Sequence, residues 1–171
     1  VFASIISRYQ DPDGDLGISD EGWEIAAKFL GNAHNIADGE DAVGSVIDGT
    51  YPMDEHWASG VLTEQKDRDY KFQIMTPDIG EPYVVESLAI SAGTKKYDTC
   101  VAFLNWLGSS DVQLDWSNNY GTIPCQKEAL DQVSDDIKEL METLKPQDLD
   151  WSFIAENVDA WVEKAELEYV Q

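Results

Sequence analysis

The residues best suited to chemistry lie in one short run, Asp54-Glu55-His56-Trp57. Two carboxylates, an imidazole and an indole stand side by side directly after the extended piece Tyr51-Pro52-Met53. A helix is expected to begin at this point and to run to Gln65. Strand-to-helix junctions of this kind hold ligands in open α/β sheets, so Glu55, His56 and Trp57 are candidate ligand contacts. The same run also reads as an ordinary helix start, with acids placed favourably near the positive end of the helix dipole. A second candidate pair, Glu86-Ser87, interrupts the otherwise apolar stretch from Val84 to Ile90. If buried, a carboxylate and a hydroxyl there need hydrogen-bond partners, and a ligand could supply them. Simple strand alternation with an outward acid explains the pair equally well.

Other constellations are weaker. Asp11-x-Asp13-x-Asp15 has the spacing of a calcium loop, but Leu16 and Gly22 occupy the positions where that loop needs glycine and a closing acid. It reads as a solvated acidic turn. Cys100 and Cys125 form neither a disulfide framework nor a zinc site, and they read as small hydrophobes. No nucleophile elbow, zinc-protease helix or phosphate-binding glycine loop is present. No catalytic residue, resident metal or cofactor is assigned.

The surrounding composition narrows the class. The chain has 171 residues, 34 acidic against 11 basic, for a net charge of −23. Such a surface repels phosphate backbones and argues against nucleic acid. It serves solubility or favours a cationic ligand. Six tryptophans and a 43% hydrophobic content are enough to build a core. No apolar run reaches the roughly 18 residues that a membrane span needs. The opening Val1-Phe2-Ala3-Ser4-Ile5-Ile6 has neither the basic start nor the length of a signal peptide. It reads as the middle of a helix, and hence of a longer protein.

The elements that must position these residues follow from periodicity and caps. Helical spacing is expected over residues 2–9, then a turn-rich loop over 11–17. Ser19 should cap a helix carrying Trp23, Ala26, Ala27 and Leu30 on one face. A short helix follows at Ala42–Ile47. Strands are expected at Lys71–Met75 and Val84–Ser91, and helices from Tyr97 to Leu107 and from Ser110 to about Trp116. The stripe Leu130, Val133, Ile137, Leu140, Met141, Leu144 predicts one helix stopped by Pro146. Asp150 should cap a last helix bearing Trp151, Ile154, Val158, Trp161 and Ala165. Short strands alternating with helices give an α/β class with a small mixed sheet.

In this order the motifs resemble a known family. Gly49-Thr50-Tyr51-Pro52-Met53, the strand ending at Pro77, and Gly80-Glu81-Pro82-Tyr83-Val84-Val85-Glu86-Ser87-Leu88-Ala89-Ile90 are similar to extracellular solute-binding proteins of ABC transporters. So are Ala102-Phe103-Leu104-Asn105-Trp106-Leu107 with Ser109-Ser110-Asp111-Val112-Gln113, Tyr120-Gly121-Thr122-Ile123-Pro124, and the closing Trp151 to Trp161. More narrowly, the chain resembles the type 2 periplasmic-binding fold of the ferric-iron, phosphonate and polyamine group. The resemblance implies a partial lobe of that fold with long C-terminal helices. Residues 1–91 would form most of the second ligand-binding lobe. Residues 92–171 would supply its remainder, a crossover, and helices that pack on an absent first lobe. It implies no enzyme activity. A small-molecule or ion ligand (amine, phosphonate or metal) is implied instead, with a membrane permease as partner. The location would be extracellular or periplasmic, anchored through a missing N-terminal segment. Glu55, His56 and Trp57 fall on the family's second-lobe ligand segment, and Glu86 and Ser87 on its crossover strand. The adjacent tyrosines of iron-binding members are absent. The fragment reading also predicts exposed apolar faces on the last two helices, or a homodimer that covers them. The rival, a self-contained acidic α/β enzyme or interaction domain, predicts a complete core.

Overall fold

The computed structural model describes residues 1–170, and helices hold about half of them. Two compact units emerge. One joins Val1–Glu40 to the stretch from Pro146 onward, and the other is Asp41–Lys145.

In the first unit, helix α1 (Phe2–Ile6) leads into strand β1 (Gln10–Asp15) and helix α2 (Asp20–Gly31), and the long helix α9 (Trp151–Glu168) returns from the far end of the sequence. Both predicted caps are present. Ser19 Oγ accepts from Gly22 N at 3.3 Å, and Asp150 Oδ1 accepts from Ser152 N and Phe153 N at 3.1 and 3.0 Å. Each satisfies helix N–H groups that would otherwise lack a partner. Ile6, Ile18, Trp23, Ala26, Ile154 and Trp161 form the core where α1 packs on α2 and α9. Both core indoles donate to carbonyls of the acidic loop: Trp23 Nε1 to Asp15 O and Trp161 Nε1 to Leu16 O, each at 3.0 Å. A buried indole N–H needs such an acceptor.

The acidic loop is more ordered than its composition suggests. β1 bridges Ile18 from both Gln10 and Asp15, and Asp11 N donates to Gly17 O at 2.9 Å. Gly14 makes this narrow fold feasible, because a Cβ there would lie 2.2 Å from the Ile18 carbonyl oxygen. Lys164 ties the loop to α9, reaching Asp15 at 3.1 Å and Glu168 at 2.8 Å while lying 5.0 Å from the centre of the Trp23 ring. These carboxylates hold the ammonium pKa above its ordinary range.

The second unit contains α3 (Ala42–Ile47), α4 (Ala58–Arg68), α5 (Tyr97–Leu107), α6 (Ser110–Tyr120), α7 (Lys127–Leu130) and α8 (Asp135–Thr143). α6 packs on α4, α5 and α7. Ala129, Val133, Ile137, Leu140 and Leu144 are buried along one side.

Several expectations are corrected. The small mixed sheet is not assembled: β1 is the one strand among the described residues, and its pairing is local. Residues 71–75 and 84–91 have strand-like composition but no ladder partner among the described residues. Inter-strand hydrogen bonds are what convert such composition into a strand. The stripe from Leu130 to Leu144 is split between α7 and α8. Asp135 and Asp136 occupy the first turn of α8, where acids favour a helix start over a helix interior. The last two helices bury their inner stripes at Ile137, Leu140, Ile154, Trp161 and Ala165, although Trp151, Val162 and Leu167 remain exposed. Cys100 is half-buried and Cys125 exposed, and both are free thiols.

Candidate functional site

The segment holding the first candidates is clamped at both ends by Arg68. Its guanidinium binds Asp41 in a forked pair at 2.8 and 2.9 Å and donates from Nε to Glu64 one turn earlier. Asp41 also caps α3, accepting from Gly44 N at 2.9 Å. The start of α3 and the end of α4 are thus joined through one carboxylate, with residues 48–57 between them. The Arg68 guanidinium holds the Asp41 carboxyl below the usual carboxylate range, helped by the Gly44 N–H. Asp48 Oδ1 accepts from Thr50 N at 2.9 Å, and Tyr51 N donates to Ser45 O at 3.0 Å. These bonds fold the segment back on α3 before it runs to α4.

At the entry of α4 the candidates come together. Trp57 is the N-cap residue, with extended backbone, and its carbonyl accepts from Val61 N at 3.1 Å. The residue is 71% exposed, which leaves a large aromatic ring open to water. His56 Nδ1 lies 3.5 Å from Asp54 Oδ2. The other side of the His56 ring rests on the first turn of α4 at Gly60, where a Cβ would lie 2.6 Å from Nε2. Gly60 therefore gives the imidazole its seat. Glu55 is exposed beside it. The result is an open surface carrying an indole face, a carboxylate-paired imidazole and a further carboxylate. Such a set suits a cationic group through charge and cation–π attraction. Glu86 and Ser87 are exposed in the unpaired stretch after Tyr83, and neither makes a hydrogen bond or ion pair among the described residues. Among the described residues, no group of three or more His, Cys, Asp or Glu side chains is gathered as a metal site. No described helix is long and apolar enough to cross a membrane.

Comparison with known proteins adds a decisive observation: the model of the bacterial extracellular solute-binding protein family matches residues 2–145. The chain belongs to this family. A probable ABC transporter periplasmic-binding protein of Sinorhizobium fredii is 33% identical over 170 residues. That alignment covers 99% of this chain and 47% of the relative, so the chain spans about half the relative's length. No solved structure was found to match. Both findings concern binding proteins rather than enzymes, and the family is an extracellular one.

Within this member of the family, the residues at 54–57 are adjacent in sequence, but what holds them is not readable there. Gly60 stands out in sequence only as a glycine inside a helical run, which costs helix stability and gives no hint of the histidine beside it. The Asp41–Arg68 pair, 27 residues apart, gives no signal, because its partners meet only after α3 and α4 have formed.

Proposed function

We propose that this chain captures a small extracellular solute for an ABC import system, with Glu55, His56 and Trp57 meeting the solute. Its subgroup is the type 2 periplasmic-binding fold of the ferric-iron, phosphonate and polyamine binders. The solute is cationic or amine-bearing. The observation that carries this choice is Trp57, 71% exposed, standing beside acids at the clamped entry of α4. Residues 1–91 act as most of the second lobe. Residues 92–171 complete it and carry the crossover toward a first lobe, and Glu86 and Ser87 reach the solute when the lobes close. The function is capture without catalysis: contacts that are stronger in the closed form shift the population toward it. The closed form then docks on a membrane permease, and a membrane anchor keeps the complete protein near that permease.

Calorimetric titration with spermidine, 2-aminoethylphosphonate and ferric citrate tests the reading. Spermidine should bind saturably. Trp57→Ala should weaken it by roughly tenfold, in line with about 0.5–2 kcal/mol for a cation–π contact, and Glu55→Ala should weaken it as well. Affinity unchanged in both variants removes this segment from the site.

A further inference from the structure

His56 is one of two histidines in the chain, and the one that stands among the proposed solute contacts. Its ring is held on two sides. Nδ1 lies 3.5 Å from Asp54 Oδ2, longer than a hydrogen bond but close enough for charge attraction. The Nε2 edge rests on Gly60 in the first turn of α4, where a Cβ would meet it at 2.6 Å. Glu55 precedes the ring, and Trp57, the N-cap residue of α4, follows it.

The charges around the ring are mixed. Asp54 and Glu55 favour a proton on it, whereas the positive end of the α4 dipole disfavours one. The charged side chains of α4 itself begin at Glu64, one turn past Gly60. α6 packs on α4 and reaches the same first turn, since a Cβ on Gly121 would lie 2.5 Å from Ser59 O. The titratable side chains of α6 are Asp111, Asp115 and Tyr120. Carboxyls and phenols ordinarily change charge near pH 4 and pH 10, and imidazoles between pH 5 and 8. Of these side-chain types, imidazole alone changes its charge across pH 5.5 to 7.5.

We propose that a proton on His56 and a cationic solute compete for this site. The proposal rests on the solute-binding reading above and adds its regulation. With the imidazole neutral, the Glu55 carboxylate and the Trp57 ring are open to an ammonium group. An imidazolium sets a like charge beside that group. Because Asp54 and Gly60 hold the ring on two sides, this charge stays within the site. One like charge at contact distance in water weakens binding about fivefold. By linkage, the solute loosens the proton by the same factor. Capture is therefore strongest near neutral pH and weakens on acidification.

Calorimetric titration of the chain with spermidine at pH 7.5 and 5.5, paired with NMR titration of both imidazoles, tests this. Spermidine's ammonium groups, like that of lysine, stay charged across the range. Affinity should fall about fivefold at the lower pH. His56→Gln should abolish the fall, and His34→Gln, in the other compact unit, should retain it. Saturating spermidine should make His56 hold its proton about fivefold less tightly and leave His34 unchanged. Gly60→Ala should keep α4 formed, since alanine is the better helix former, and should shrink the fall by displacing the ring. Saturable binding of equal affinity at both pH values overturns the proposal and leaves the solute reading standing. A fall that survives His56→Gln or Gly60→Ala in full does the same. Absence of saturable spermidine binding at both pH values overturns the proposal and the solute reading together.

Discussion

The two compact units treat their tryptophans in opposite ways. In the unit built from the two chain ends, Trp23 and Trp161 are buried and each indole N–H donates to a loop carbonyl. In Asp41–Lys145, Trp57, Trp106 and Trp116 are all exposed, and the buried hydrophobic side chains are aliphatic ones between Ala129 and Leu144. Trp151 is the exception in the first unit, exposed at the start of α9. Burying an aromatic side chain is among the largest single contributions to a core. A unit that leaves three of them in water draws its stability from other side chains. The difference teaches where to look for stability and where to look for recognition.

The sharpest way to break this contrast is Trp161→Ala. Its side chain is fully buried between α9 and the acidic loop. Truncation should cost about 3–5 kcal/mol and accelerate amide exchange throughout α1, α2 and α9. Trp106→Ala, by contrast, should change stability by less than about 0.5 kcal/mol, as for surface substitutions. Equal losses in the two variants would erase the distinction. Next in size, Ile137→Ala should cost about 2–5 kcal/mol, read as loss of exchange protection in α8. If protection in α8 is unaffected, the aliphatic side is not the core of its unit. Asp150→Ala removes two capping bonds and should cost about 1 kcal/mol, visible as a small fall in melting temperature with α9 fraying at its start.

The smallest effect concerns the clamp. Asp41 titrates below the usual carboxylate value of about 3.9 because Arg68 and Gly44 N–H favour its charged form. A carboxyl lowered on folding contributes stability that is present above its unfolded value and fades as pH falls through its folded one. Arg68→Met should move the Asp41 titration back upward in a carbon-detected NMR series and speed amide exchange at 48–51. An unmoved titration would show that the Gly44 bond alone sets it.

Local signals explain what could be read in advance. Ser19, Asp150 and the acids at Asp20 and Glu21 mark helix starts because the groups they satisfy lie within a few residues. The cluster at 54–57 was legible for the same reason, since all its members are adjacent. The segments 71–75 and 84–91 were read as strands from composition, yet a strand exists only where a neighbour supplies its hydrogen bonds. The Asp, Pro and Gly content of β1 signals a turn, while its order comes from Ile18 and the Trp23 indole just after it, with Trp161 from far along the chain holding the adjoining Leu16. The arginine clamp and the His56 seat on Gly60 depend on contacts that form only in three dimensions.

Capture without conversion is the central claim, and equilibrium dialysis of the chain against spermidine, followed by mass spectrometry of the recovered solute, tests it most directly. The account predicts saturable one-to-one retention, release of chemically unchanged spermidine, and weakened retention in Trp57→Ala. Retention that does not saturate, or spermidine recovered as a new product, would contradict it.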